Sequence, residues 1–354
     1  MTRRAFLKWL LSLGAVAAAF GIGLWRGWFG AVNRSSEQGG SSASPSPEPA
    51  PPEADHNAGE TGPLLTLLIL SDPHINPDLP EHSKHLAQAL EDMKRLPNPP
   101  DSVVITGDLT DYGRKQDYQE LRKVLGRFEL PPLYANMGNH DYYDIWINEQ
   151  GQFNREGMPN GKSDADSRES FLNFMGQEKP YRDVWIKGVH LILLSQEAYV
   201  EERPEVGEGA WYSDQQMAWF KEQMEQHKDG KPAFVMIHQP LPPAGQDGGS
   251  HRLIRANEFR DIVRDCPNVF VFSGHQHQDF TNGMNHYVKE TFHWFHNSSV
   301  SRVMNRRYEN ARPEAAQGLY VEVYEDRVLL KGREFSDGTW IAEADWLVEL
   351  ARGA

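Results

Sequence analysis

The sequence predicts an α/β domain with a ligand site along the carboxyl edge of its strands. Two observations predict it. Between Leu64 and Phe272, short apolar runs alternate with stretches whose apolar residues recur at helical spacing. Five of the apolar runs end in side chains suited to metals or proton transfer: Asp72 with His74, Asp108, Asn139 with His140 and Asp141, His238, and His275 with His277. In open α/β sheets, ligands bind outside the carboxyl ends of the strands, so these five ends belong to one edge.

Two segments precede the domain. Residues 1–32 begin with Thr2-Arg3-Arg4-Ala5-Phe6-Leu7-Lys8, followed by an uncharged apolar run from Trp9 to Trp25. The twin arginine with Phe, Leu and Lys behind it resembles a twin-arginine translocation signal. The alternative is a membrane anchor with a positive inner flank, for which the run is at the short end of the roughly 17–25 residues needed. Ala17-Ala18-Ala19 offers a small-residue cleavage site, while apolar sequence continues past it to Trp28-Phe29. Either way the domain is expected outside the cytoplasm, membrane-anchored or secreted into the periplasm or beyond. The twin-arginine export machinery is then a partner, and so is the membrane if the segment is uncleaved. Residues 33–62 are dense in Ser and Pro and have no apolar periodicity. Such a stretch cannot bury enough surface to offset its ordering entropy, so it reads as a disordered linker.

The folded domain, 63–354, starts with the apolar run Leu64 to Leu70, as expected of a strand covered on both faces. Glu81 to Leu96 has helical spacing, Ser102 to Thr106 is a second strand, and Gln116 to Phe128 a second helix. A third strand opens at Leu133 and runs into Gly138-Asn139-His140-Asp141. This alternation implies βαβ units and a largely parallel sheet. Residues 144–166 read as a long polar loop, Ser167 to Met175 as a short helix, and Tyr181 to Ser195 as a hairpin around Gly188. Ser213-Asp214-Gln215-Gln216 caps an amphipathic helix through about His227, with Met217, Phe220 and Met224 on its apolar side. Ala233 to Ile237 and Val269 to Phe272 are further strands, and Gly318 to Glu334 reads as a hairpin.

Composition bounds the chemistry. The formal net charge is -14, which argues against a sequence-independent DNA binder, because such proteins need a basic face. No sequence-specific nucleic-acid binding is expected either. With Cys266 as the single cysteine, neither an intrachain disulfide nor a Cys-rich zinc site is possible. Taken singly, each strand-end motif has a bland reading. An Asp after a strand commonly caps a helix, and a lone His is commonly a hydrogen-bonded core or surface residue. Five such ends in one order carry more weight than any one of them.

The order Asp72-Pro73-His74, Gly107-Asp108, Gly138-Asn139-His140-Asp141, His238 and Gly274-His275-Gln276-His277 resembles the calcineurin-like metallophosphoesterases. The resemblance covers Leu64 to the C-terminus. It implies a four-layer α/β/β/α sandwich with a metal site at the carboxyl ends of the strands. It further implies two divalent or trivalent metal ions. Asp72, His74 and His277 would hold the first, Asn139, His238 and His275 the second, and Asp108 would bridge them. A mixture of carboxylate, imidazole and amide suits Mn, Fe or Zn better than Ca or Mg. A hydroxide activated by both ions would attack a phosphate ester, either a diester or a monoester.

His140 has a family counterpart that is not a ligand, so the resemblance makes it a catalytic residue at the leaving oxygen. Asp141 would orient it, or else brace the turn, whereas Asp111 and Tyr112 read as turn residues. Within the superfamily the layout is similar to the cyclic-nucleotide phosphodiesterase-like branch. The position of the tyrosine ligand of purple acid phosphatases falls on Asp111, and His74 stands where they have glycine. The substrate class is a small phosphate ester. The alternative function is a tethered, non-catalytic binding or scaffold protein on the same fold.

Overall fold

The computed structural model describes residues 62–351, and the segments 1–32 and 33–61 singled out above lie outside the described residues. Among the described residues no helix is long and apolar enough to cross a membrane.

Two six-stranded sheets form the centre. In the first, β1 (Leu65–Leu70), β2 (Ser102–Thr106) and β3 (Leu133–Asn136) run parallel. β10 (Gln317–Val323), β11 (Arg327–Glu334) and β12 (Thr339–Glu349) extend it antiparallel from β1. In the second, β5 (Val189–Leu193), β6 (Ala233–Met236), β7 (Val269–Ser273) and β9 (His293–His296) run parallel. β4 (Arg182–Ile186) and β8 (Tyr287–Lys289) close its edges antiparallel. The parallel strands implied by the alternation form the centre of each sheet, and antiparallel strands extend both. The hairpins at Gly188 and at 318–334 add the antiparallel strands, and they cannot pair any other way.

Side-chain alternation explains the layering. Leu65, Leu67 and Ile69 of β1 meet Phe234, Met236, Phe270 and Phe272 of the second sheet in one apolar layer. Leu68 and Leu70 point the other way, onto α1 (Pro80–Asp92) and α2 (Lys115–Leu125), through Leu86, Leu90 and Leu121. On the far side, Val235, Ile237 and Val271 pack on α4 (Asp214–Met224) and α5 (Ala256–Val263), through Met217, Phe220 and Phe259. Each central strand is buried on both faces, so its sequence is apolar throughout rather than alternating. The result is the expected α/β/β/α sandwich. α3 (Asp164–Met175) starts earlier than its apolar spacing suggests, because Ser163 and Asp166 form a reciprocal capping box. Ser213 caps α4 by accepting from the Gln216 amide.

Candidate metal centre

Strands β1, β2, β3, β6 and β7 end together. The loops after β1 and β2 are cross-linked, with His74 N donating to Asp108 O (3.0 Å) and Ile75 N to Leu109 O (3.1 Å). Gly274 N donates to His238 O at 2.9 Å, joining the ends of β6 and β7. Asp72, His74, Asp108, His275 and His277 all adopt left-handed backbone, with φ of 54°, 44°, 49°, 71° and 54°. Left-handed non-glycine residues are strained by of order 1–3 kcal/mol each and persist only where the surroundings fix them. Part of the fixing comes from the segment after β9. Ser299 and Ser301 hydroxyls both donate to Asp72 O, at 3.0 and 2.7 Å, and Asn297 Nδ2 donates to Ile69 O at 3.0 Å. Gly138 and Gly274 are required by close approach. A Cβ on Gly138 would collide with the Asp108 carboxylate and the His238 ring, and one on Gly274 with Ser71 and Asp72.

The donors gather in two overlapping groups. Ligand-type atoms of Asp72, His74, Asp108 and His277 lie within 4.8 Å of one another, and so do those of Asp108, His238 and His275. Asp108 belongs to both. His238 Nδ1–H donates to Thr106 O (2.8 Å), so its Nε2 carries the lone pair. That atom is buried, 3.1 Å from Asp108 Oδ2, and has no hydrogen-bond partner. His277 Nδ1–H donates to Arg302 O (3.1 Å), leaving its Nε2 facing His74 Nε2 and Asp72 Oδ1, each at 3.0 Å. Lone pairs aimed at carboxylates in a dry site repel unless a cation lies between them. The outer nitrogens are held by backbone carbonyls, as is usual for metal-binding histidines. The residues therefore fit metal ions.

With no cation between them, the same carboxylates draw a proton to the His238 ring, the place a metal ion would take. Burial opposes the charged form of Asp72, but His277 and His238 outweigh it and hold its carboxyl well below the usual range. Burial likewise pushes the His238 imidazole down, yet Asp108 and Asp72 hold its pKa up at about 9. His74 is the contrary case, lowered to about 4 by burial and by the charges of His140 and Arg302. Its Nδ1 lies 3.3 Å from Asp111 Oδ1 without the alignment of a hydrogen bond.

Asn139 reaches the second group through its oxygen. Asn139 Oδ1 is 3.0 Å from His275 Nδ1, while Nδ2 donates to Glu208 Oε2 (2.9 Å) and to the Tyr143 hydroxyl (3.1 Å). Glu208 accepts in turn from Tyr143 OH (2.8 Å) and Arg155 Nη2 (2.7 Å). His140 stands at the wall of an open pocket of about 630 Å³ shared with Asp108, Asn139 and His275. Its backbone N–H donates to Asp108 Oδ1 (2.8 Å), and its ring stacks on Tyr143 with centroids 4.0 Å apart.

The sequence profile of the calcineurin-like phosphoesterase family matches residues 65–279. This chain belongs to that family. Over 198 residues it is 26% identical to the glycerophosphodiester phosphodiesterase GpdQ of Enterobacter lignolyticus, covering 54% of this chain and 61% of the relative. Over 221 residues it is 23% identical to a probable cyclic nucleotide phosphodiesterase of Rhodococcus erythropolis, covering 61% and 65%. Each match spans less than two thirds of the relative's length. Among solved structures, a dimetal phosphatase from Danio rerio aligns with TM-score 0.59 and 15% identity over 82% of this chain and 100% of that one. A purple acid phosphatase from yellow lupin aligns with TM-score 0.51 and 13% identity over 80% of this chain and 53% of that one. At those identities the two structures show the fold.

Within this calcineurin-like phosphoesterase, Asp141 takes the second of the two roles expected of it, bracing the turn rather than orienting His140. Its carboxylate does not touch the His140 ring. It accepts from Thr110 N (3.0 Å), Thr110 Oγ1 (2.9 Å), Gly138 N (3.1 Å) and Leu109 N (3.3 Å), clamping the loop after β2 to the loop after β3. The reason is local. Residues His140–Trp146 form a 3₁₀ turn, so neighbouring side chains diverge, and Asp141 turns inward to full burial. Asp111, read as a turn residue, takes the place instead. His140 Nδ1 faces Asp111 O at 3.0 Å and Asp111 Oδ1 at 3.5 Å. Burial lowers the His140 pKa, but Asp108 and Asp111 overcome it and the net direction is upward. Tyr112 points away and stacks on Phe153, with centroids 5.9 Å apart. Glu208 and Arg155 gave no sequence signal, since both lie outside any strand-end pattern.

Proposed function

We propose that this chain hydrolyses a phosphodiester with the help of two metal ions, outside the cytoplasm. The observation that carries the reading is the pair of donor groups joined at Asp108, with His140 beside them on one open pocket. Asp72, His74 and His277 would hold the first ion, Asn139, His238 and His275 the second, and Asp108 both. When bound, two such ions polarise the phosphoryl oxygens and make water a nucleophile at neutral pH.

The chain's own residues supply the rest. Asn139 offers only its oxygen inward, because its amide N–H groups are spent on Glu208 and Tyr143. His140 donates from Nδ1 to Asp111 O, which aims Nε2 at the pocket. Asp108 and Asp111 raise its pKa, and Nε2–H would give its proton to the leaving alkoxide oxygen as the P–O bond breaks. Water supplies the new oxygen on phosphorus. The names of both curated relatives support a diester, and a pocket of about 630 Å³ leaves room for an organic group on each side of phosphorus.

The test is to load the chain with Mn and offer it bis-p-nitrophenyl phosphate and p-nitrophenyl phosphate. Faster release from the diester is expected. No release from either, with metal demonstrably bound, would sink the proposal. For location, the support is Arg3-Arg4 and the apolar run behind it. Replacing both arginines with lysine is expected to leave the protein in the cytoplasm. Unchanged export would remove the twin-arginine reading.

A further inference from the structure

Arg252 lies on the wall of the same pocket but outside both donor groups. His251 stands between. Its Nδ1 is 3.0 Å from His275 Nε2, the outer nitrogen of a ring whose Nδ1 faces Asn139.

Its guanidinium is held by neutral groups. With the Gln276 amide turned as its neighbours require, Gln276 Oε1 accepts from Nη2 (3.0 Å) and Nη1 of Arg252, while Gln276 Nε2 donates to His296 Nε2 at 2.9 Å. His296 is braced in turn through Nδ1 on Ser273 Oγ (2.8 Å), which also accepts from Trp294 Nε1 (2.9 Å). Arg252 Nη1 has one further acceptor, His251 O at 3.4 Å. The backbone is fixed as well, with Arg252 N donating to Gly249 O (3.2 Å) and Arg252 O accepting from Ala210 N (3.0 Å).

Among the described residues no carboxylate pairs with Arg252. The chain has 50 acidic residues against 36 basic ones, and it gives carboxylate partners to Arg114, Arg155, Arg168, Arg260, Arg312 and Arg333. A half-buried cation without a counter-charge is unfavourable in the empty pocket and becomes favourable when an anion arrives. Burial indeed pushes the guanidinium pKa down. Beside it, Tyr308 is 61% exposed on the pocket rim and holds a left-handed φ of 60°. That backbone is imposed by Asn305, whose O accepts from Tyr308 N (2.9 Å) and whose Oδ1 accepts from Arg307 N (2.8 Å) and Glu309 N (3.1 Å).

We propose that Arg252, with Tyr308 as an aromatic rim, binds a second anionic group on the substrate, a phosphate or carboxylate carried on an alcohol of the ester at a distance from the scissile phosphorus. The proposal rests on the phosphodiesterase reading and adds to it a preference for diesters with at least one further negative charge. Guanidinium is suited to this, since its planar fork meets phosphate or carboxylate through two N–H bonds.

The test compares the p-nitrophenyl diester of thymidylate with the same diester carrying an added phosphate on the free sugar hydroxyl. The leaving group is identical, so only the added charge differs. Wild type is expected to prefer the doubly charged diester in kcat/KM by about tenfold or more, the lower end of a charge-assisted contact. In Arg252→Gln that ratio should fall toward one. Equal turnover of both by wild type, or loss on both by the same factor in the variant, would overturn the subsite while leaving the phosphodiesterase reading intact. If neither diester is turned over, that reading fails instead, and calorimetry still decides the subsite. Thymidine bisphosphate should bind wild type about tenfold tighter than thymidine monophosphate, with the gap closed in Arg252→Gln. Equal binding of the two to wild type would contradict the proposal.

Discussion

The two sides of Asp108 are built differently. On one side, Asp72, His74 and His277 sit at 0%, 0% and 7% exposure, in strand-end loops tied by backbone hydrogen bonds and by Ser299 and Ser301. On the other, His238 is equally buried, but Asn139 depends on a side-chain relay. Glu208 orients its amide, and Arg155, from the polar loop after β3, reaches Glu208 while lying over Trp146 and Phe153. His275 meets only His251, an exposed residue, at its outer nitrogen. A first ion would thus be held wholly by parts that the sheet makes rigid, and a second in part by Asn139, which loop residues must align. Preorganised backbone binds tightly because little is left to order, whereas a side-chain relay must be ordered when the ion arrives.

Five variants probe this contrast. Asp108→Asn removes the one carboxylate common to both sides, so both ions should bind poorly and turnover should fall by roughly a thousandfold or more. Tight retention of two ions would contradict the shared role. His140→Ala should lower kcat by about 10²–10⁴-fold, with metal content near wild type, because it takes away a proton donor and no ligand. Metal lost together with activity would make His140 a ligand. Glu208→Gln should weaken the second ion by about 10–100-fold and leave the first unchanged, read by metal titration. Equal weakening of both would erase the asymmetry.

The smallest effect is a pH shift. A leaving-group acid works while protonated, so activity is lost as pH rises through the raised pKa of His140. Asp111 is one of the charges that raise it, so Asp111→Asn should move the alkaline limb of kcat to lower pH. Asp141→Asn should leave that limb in place and reduce stability by about 1–3 kcal/mol, since a buried carboxylate accepting five hydrogen bonds is replaced. A shifted limb in Asp141→Asn, measured by a pH–rate profile, would restore Asp141 to the role assigned by adjacency.

The sequence made the strand ends legible because each central strand is a continuous apolar run, and the residue after such a run must leave the sheet. Leu64 to Leu70 and Ser102 to Thr106 correspond closely to β1 and β2. Adjacency misled at Asp141, because within a 3₁₀ turn sequence neighbours face different ways. Asp111 reads as a turn residue in the sequence although it shares a loop with Asp108, since its contact to His140 is 29 residues distant in the chain and lies across the site. β12 gave no clear strand signal. Its burial does not alternate, because a register shift at Lys331 and Gly332 interrupts the pairing with β11. β9 begins and ends in histidine and reads as polar, yet His296 is buried because Ser273 satisfies its ring. Arg252 and Glu208 lie in irregular segments, where local pattern says nothing of long-range partners.

One carboxylate, Asp108, would join a backbone-held site to a relay-held one. Titrating the metal-free chain with Mn while counting bound ions tests it most directly. Two ions per chain are expected in two resolved steps, with only the weaker step lost in Glu208→Gln. A single step, or a Glu208→Gln chain in which the tighter step is lost first, would contradict it.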